Sequence, residues 1–361
     1  MFDANRLYRL SRFAMIHPVS EGFVMESPLT SKHFLIKSPA ILKLLLGLAK
    51  PFRAVDSLAS TNASAADVLM SLFQDLYKHG YLTAIDSSGV AEEDRNELAH
   101  WELHDLLFHA RSRYGRNSQP VGGTYRFLGV SPPEPCYRPA DPAQQQIPLP
   151  VPDLERLKAA DASFTSVLEN RRSVSGFEPL TVQQLGEFLY RTCRVTGEID
   201  GNAYTDKYAV KVYPSGGSLH PLELYVAISA CHGLDPGLYL YDARRHSLAL
   251  LQTMNPDVQA LFDYAKQSVG GLDFNPPTLF IMAARFRRTA WKYQSIAYRV
   301  MLMEVGVLFQ TMYLAATAMG LAPRGLGNGN SDLFANLIRS DYYLETSVGE
   351  FMLGGKSAHI A

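Results

Sequence analysis

Apolar positions crowd at helical spacing along 301–319, where Met301, Leu302, Val305, Leu308, Met312 and Ala315 mark a helix apolar around most of its circumference. A helix of that kind has to be covered on all sides. Arg299, Glu304 and Gln310 interrupt a run that could otherwise pass for a membrane span. The pattern therefore predicts the central buried helix of a soluble protein. Its entrance, 285–299, carries five cationic side chains and no acid, with aromatics between them. Such a segment beside a buried helix suggests an anionic ligand at the helix entrance. A solvated basic loop is the alternative.

The first 86 residues show shorter periods. Strands are expected at 13–16, 22–26, 33–36 and 81–85, and helices at 41–48 and from an N-cap at Ser64 to Gly80. That order is winged-helix-like. The module carries nine Lys/Arg against seven Asp/Glu, too even a balance for binding dominated by phosphates. A peptide- or partner-docking module is expected over 1–86, or a purely structural one. A helical stretch follows at 92–116, where His104 and His109 lie five apart and so on different faces, unsuited to a metal. Nine prolines over 117–152 then predict an extended linker, and 87–162 reads as helix plus linker.

From 163 to the end, Thr181 caps a helix carrying Leu185, Phe188 and Leu189. Strands are expected at 223–229 and 278–284, a hairpin at 237–241 and 247–251, a glycine-rich loop at 324–330, a helix at 332–338 and a last strand at 348–353. Antiparallel strands interleaved with helices indicate an α+β fold. A length of 361 residues suits two domains, and a net charge of −1 argues against nucleic acid or an anionic membrane as partner. Three scattered cysteines and a charged N-terminus predict a reducing, cytoplasmic setting.

Four elements could carry chemistry. Arg171-Arg172-Ser173 offers two planar guanidiniums and a hydroxyl, suited to a terminal phosphate, although surface arginine pairs are common. The stretch 213–221 lacks bulky side chains at Gly216 and Gly217, which lets a ligand approach the backbone, and Ser215 and Ser218 add hydroxyls. Trp291-Lys292-Tyr293 is the third element, and the 325–330 glycine loop the fourth. No dinucleotide fingerprint, P-loop, nucleophile elbow or zinc motif is present.

In this order and spacing, the 163–361 domain, over about 163–355, resembles the nitroreductase-like flavoproteins, and specifically the SagB/ThcOx-type dehydrogenases, the azoline oxidases of peptide maturation. Arg171–Ser173, Pro214–Gly217 with His220-Pro221, Lys292-Tyr293 with Tyr298-Arg299, and Leu326-Gly327 with Asp332 carry the resemblance, and the Lys-Tyr pair is its most specific part. It implies FMN at a homodimer interface. The phosphate would lie on Arg171, Arg172 and Ser173, the Pro214, Ser215, Gly216, Gly217 and Ser218 loop against the ring from the partner subunit, and Leu326 and Gly327 at the reactive edge. Ser175, Gln310 and Lys356 complete the implied cofactor set. Arg288, Tyr298 and Arg299 are implied for substrate. The family usually has an arginine where Ser175 stands, an aspartate at Glu304 and a histidine at Val307.

The resemblance further implies dehydrogenation of a thiazoline or oxazoline in a peptide to the azole, with Lys292 and Tyr293 as the base and a cyclodehydratase complex as a partner. Free lysine and tyrosine titrate too high to be bases at neutral pH. The arginines at 285, 287, 288 and 299 would favour a neutral Lys292 or a tyrosinate. Two rival readings remain: an NAD(P)H-dependent nitroreductase acting on small oxidants, and a non-catalytic docking subunit.

Overall fold

A computed structural model describes residues 1–357 apart from 60, 140, 142, 143, 203, 273 and 274. Its contacts divide the chain into a unit Met1–Thr124 and a unit Tyr125–Ala361.

In the first unit, strand Leu7–Leu10 pairs with Phe52–Arg53 and Leu82–Ile85, while Met15–Val19, Gly22–Glu26 and His33–Ile36 form an antiparallel meander. Helices Pro39–Gly47 and Ala63–Lys78 pack on a core that contains Tyr8, Met25, Phe73, Leu76 and Tyr81. The longer helix is capped by Asn62, whose side chain accepts the Ala65 N–H at 2.9 Å, and not by Ser64. An Asn at that position satisfies a donor left over by the first turn. The helix expected over 92–116 is broken into turns at Glu92–Asp94 and Glu97–His100 and a helix at Leu103–Arg111. Glu93 explains the break. Its buried carboxylate accepts the Ser11 hydroxyl at 2.5 Å and the Arg12 N–H at 3.0 Å, which pins this segment to the first strand's end.

The second unit is built on one antiparallel sheet. In chain order its strands are β1 (Gln146–Pro148), β2 (Phe177–Glu178), β3 (Leu222–Ile228), β4 (Gly237–Asp242), β5 (Ser247–Thr253), β6 (Thr278–Arg285), β7 (Leu321–Leu326) and β8 (Glu345–Lys356). They lie in the order β7-β8-β6-β3-β4-β5-β1, with β2 pairing the end of β8. Strand β6 is buried along its whole length, as a continuous apolar run between two covered faces must be. Two segments depart from the expected pattern. The proline-rich 125–152 stretch contributes edge strand β1 and is fastened to the sheet by the Arg138–Glu345 ion pair. The expected glycine loop begins inside strand β7.

Five helices matter here: α1 (Phe164–Asn170), α2 (Val182–Cys193), α3 (Pro256–Gln267), α4 (Ala297–Ala318) and α5 (Ser331–Leu337). Helix α2 starts with a reciprocal capping box between Thr181 and Gln184. Helix α4 ends at Gly320, whose φ of 66° is the left-handed turn that glycine supplies. Met301, Glu304, Val305, Leu308, Met312 and Ala316 of α4 are buried against α2 and the sheet. The expectation of cover on every side is not met by this single chain. Met303, Gly306, Val307 and Gln310 form an exposed stripe, with Met303 62% exposed.

The buried face of α4 carries the core. Met312→Ala, at a side chain with no exposure, should lower the unfolding free energy by about 2–5 kcal/mol. Urea denaturation followed by circular dichroism measures this.

Candidate active site

Strand β3 is preceded by the loop 213–221, and strand β6 runs into the short helix Phe286–Ala290 and then Trp291-Lys292-Tyr293. Because β3 and β6 are neighbours in register, Leu222 opposite Ala284, the two segments leave the sheet side by side. They touch at glycine. A Cβ on Gly217 would lie 2.6 Å from the Tyr293 hydroxyl oxygen and 2.7 Å from Lys292 Nζ. One on Gly216 would run into Val300 Cγ1 at the start of α4. Bare backbone at these two positions is thus what brings the loop onto Lys292 and Tyr293. The loop is also strained, with positive φ at Gly217 (66°), Ser218 (56°) and His220 (45°). Each non-glycine residue in that region costs about 1–2 kcal/mol.

Polar groups beneath the loop hold it. Ser215 Oγ donates to Glu304 Oε2 and accepts the His220 N–H at 2.9 Å. The Ser215 hydroxyl therefore points into the chain. Glu304 is 2% exposed, and burial pushes its carboxyl up to about 7 against the opposing pull of the Ser215 hydrogen bond, Lys211 and Arg288. His220 Nδ1 stands 3.8 Å from Glu304 Oε1. The separation is that of an ion pair, yet burial, with Lys211 and Arg288 nearby, holds the imidazole down to about 3. His220 is therefore neutral at neutral pH and makes no ion pair.

The cationic segment is neither a solvated loop nor a display of free arginines. Arg285 pairs with Glu134 at 3.1 Å and Glu223 at 3.2 Å. Arg288 is buried and gives Nε to the Leu219 carbonyl and Nη1 to the Glu134 carbonyl at 2.6 Å. Two of the four arginines invoked to favour a neutral lysine or a tyrosinate are thus spent on acids and carbonyls. Of the substrate candidates, Arg288 is inside the protein, Tyr298 is 47% exposed with its ring 6.2 Å from Phe286, and Arg299 is partly buried. The Lys292 ammonium lies 5.9 Å from the centre of the Tyr125 ring, which packs on Tyr204 and meets Trp291 edge-on. Tyr204 and Trp291 line an open cleft of about 710 Å³, walled by the proline-rich 128–137 segment.

The other candidates assemble elsewhere. Val174 N–H donates to the Pro323 carbonyl at 3.0 Å, Arg324 to Ser175 Oγ, and Ser173 Oγ lies 2.8 Å from the Tyr313 hydroxyl oxygen. The Arg171 guanidinium sits 5.2 Å from the Tyr313 ring centre. Lys356 pairs in register with Phe177. Among the described residues, no ion pair joins Arg171, Arg172, Arg324 or Lys356 to an acid. Arg172 Nη1 donates to the Glu169 and Arg171 carbonyls at 2.8 and 2.9 Å. Guanidiniums without an acid partner beside exposed or half-exposed hydroxyls form a donor set that fits a phosphate. Sequence reasoning missed Arg324 and Tyr313. Tyr313 and Val300 stand thirteen residues apart on α4, about 20 Å along the axis. The phosphate-type cluster and the Lys292–Tyr293 cluster of one chain are therefore at opposite ends of α4, with Gln310 on the exposed stripe between them. Leu326 is buried at the end of β7, opposite Glu350, and Gly327 is exposed just beyond it.

The family described as cyanobactin oxidase ThcOx matches residues 8–118, and the nitroreductase family matches residues 168–341. A Methanocaldococcus jannaschii protein named nitroreductase MJ1384 is 32% identical over 49% of this chain and 82% of its own length. The trifolitoxin-processing protein TfxB of Rhizobium leguminosarum bv. trifolii is 26% identical over 43% of this chain. The microcin B17-processing protein McbC of Escherichia coli is 29% identical over 31% of it. Each of the last two matches spans 42% of the relative's length. The chain belongs to the nitroreductase-like family, of the SagB/ThcOx type.

Gly217→Ala must push the Lys292 and Tyr293 side chains away and pay the left-handed strain. It should lower the unfolding free energy by about 1–2 kcal/mol, read by urea denaturation. An unchanged value would mean that the loop can retreat from the pair.

Proposed function

We propose that this protein is an FMN-dependent oxidase that converts thiazoline or oxazoline rings of a peptide into azoles. The observation that carries the reading is the convergence of Lys292 and Tyr293 on the bare backbone of Gly217, beside an open cleft. The ThcOx-type segment and the two processing proteins among the relatives support it.

Removal of two hydrogens from an azoline takes a proton from the ring carbon beside the C=N and carbonyl and a hydride from the neighbouring carbon. Bound FMN would accept that hydride, and molecular oxygen would restore the oxidised flavin. The chain's own part is the proton. Tyr293 Oη and Lys292 Nζ face one point, so the proton can be taken by one and shared with the other. The peptide on either side of the ring would lie in the cleft, along Tyr204, Trp291 and the proline-rich wall, which suit an extended chain. Arg171, Arg172 and Ser173 would hold the phosphate, with Arg324 and Lys356 beside them.

The reading includes a homodimer, which the distances support. The two half-sites of one chain, about 20 Å apart along α4, meet on one FMN only if the Pro214–Gly217 loop comes from a second copy. The exposed Met303, Gly306, Val307 and Gln310 stripe is the face such a copy would cover. A cyclodehydratase complex is the partner expected to supply the azoline peptide. The nitroreductase relative favours a second reading, NAD(P)H-dependent reduction of small oxidants. The two differ in their electron donor: azole formation without added NAD(P)H supports the oxidase reading.

Two outcomes are expected. Arg172→Ala should stay dimeric in sedimentation while losing one charge-assisted phosphate contact, about 1.5–3 kcal/mol; full FMN occupancy after purification would remove Arg172 from the site. Tyr293→Phe should bind FMN and form azole about 10²–10⁴-fold more slowly, measured as azole per bound flavin. A near wild-type rate would take Tyr293 out of the mechanism.

A further inference from the structure

Glu304 is a lone acid in the buried face of α4, and the proposed reaction does not use it. Three buried atoms around it lack a hydrogen-bond partner among the described residues: Glu304 Oε1, His220 Nδ1 and Arg288 Nη2. The groups that face the carboxyl come from every element packed on it. Ser215 and His220 lie on the loop, with Tyr213 at its start, Lys211 on the strand before it, and Arg288 on the helix after β6. Tyr213 stacks edge-on against His220 at 5.3 Å and, buried beside Glu304, has its hydroxyl raised far out of the neutral range.

The loop is coupled to Lys292 and Tyr293 in two places. Gly217 abuts both side chains, and the Leu219 carbonyl accepts Arg288 Nε, three residues before Trp291. Whatever moves Ser215 therefore moves the wall of the candidate site. A protonated Glu304 accepts the Ser215 hydrogen bond through Oε2 and leaves its proton for Oε1, which faces the neutral His220. An ionised Glu304 accepts the Ser215 hydroxyl more strongly than the neutral acid does, and Lys211 and Arg288 also favour that form, while burial opposes it.

We propose that Glu304 is a positioning residue: with Ser215 it clasps the 214–221 loop against Lys292 and Tyr293, and gain of a proton loosens that clasp. The link to catalysis rests on the oxidase reading; the clasp itself does not. The carboxyl titrates near about 7, raised by burial from 4.5. The sign follows. Between those values the unfolded chain releases a proton that the folded chain keeps, so stability is highest below about 4.5, falls as pH rises through about 7, and levels off above.

Glu304→Gln mimics the protonated acid, since its amide keeps an acceptor for Ser215 and turns a donor to His220. Ser215→Ala cuts the clasp and leaves the acid. With only two tryptophans in the chain, a Trp101→Phe background isolates the fluorescence of Trp291, next to Lys292. The full chain is titrated from about pH 5 to about pH 9, still folded by circular dichroism. The expected result is a transition near pH 7 with the native pair, absent in both Glu304→Gln and Ser215→Ala. The loss of stability with rising pH should also be absent in Glu304→Gln. A flat native titration, or a native-like transition in either folded variant, overturns the clasp. Azole formation on the same samples separates the two readings. A transition lost in both variants without any azole formation removes the oxidase and keeps the clasp; azole formation with the transition intact in the variants does the reverse.

Discussion

Everything at the candidate site depends on a close approach between two backbones that only glycine permits. The loop before β3 and the segment after β6 leave adjacent strands, and side chains at 216 or 217 would hold them apart. With no side chains there, Val300, Lys292 and Tyr293 close directly onto the loop's main chain. The approach forces positive φ on Ser218 and His220, a conformation neither residue prefers. Strain of that size persists only where surrounding bonds over-determine it. Here those bonds are Ser215 to Glu304, His220 N–H to Ser215, and Arg288 to the Leu219 carbonyl.

These bonds place polar groups where burial is expensive. A buried pair of opposite charges often fails to recover its desolvation cost. The structure meets this by leaving His220 uncharged and raising Glu304 toward its neutral form, and by giving the buried Arg288 carbonyls as partners. Burial lowers the Arg288 guanidinium as well. Glu350, buried under the 326–330 loop where a Cβ on Gly329 would strike its carboxyl, is likewise raised by burial. Two acids of the same kind thus stand behind two glycine-rich loops.

Elements whose burial matched their period were legible in the sequence. Strand β6 is an unbroken apolar run, the β4–β5 hairpin turns at Asp242–His246, and α4 carries its apolar spacing for six turns. The hairpin Val195–Asn202 with Thr205–Lys211 was not legible, because its first strand is exposed along nearly all its length and has no apolar face to declare it. Edge strand β1 hid among prolines, β7 was read as the start of a glycine-rich loop, and β8 was expected shorter than it is. At the site, residue types marked the arginine turn, the glycine pair and Lys292-Tyr293. They could not mark the side on which each group points. Ser215 and Arg288, both picked as ligand contacts, face inward; Arg324, which no motif announced, reaches Ser175 from the next strand. The single acid in an apolar helix was the available signal for Glu304.

Under the proposed reading, helix α4 explains why one chain would hold halves of a site and not a whole one. Its buried face is fixed by the sheet, so the half-buried Val300 and Tyr313 flank that face on opposite sides and far apart along the axis, one against the glycine loop and the other toward the arginine turn. No repacking within the chain can bring them together without bending a helix that contains no proline. Its remaining face is apolar and open, and Gln310 interrupts it three residues before Tyr313. Under the proposed dimer, the same rigid helix would set both the spacing of the two half-sites and the surface across which a second copy completes them. Coupling then has a direct route: a shift of the 214–221 loop, released by Glu304 from below, would be felt at a flavin whose phosphate is held by the other chain.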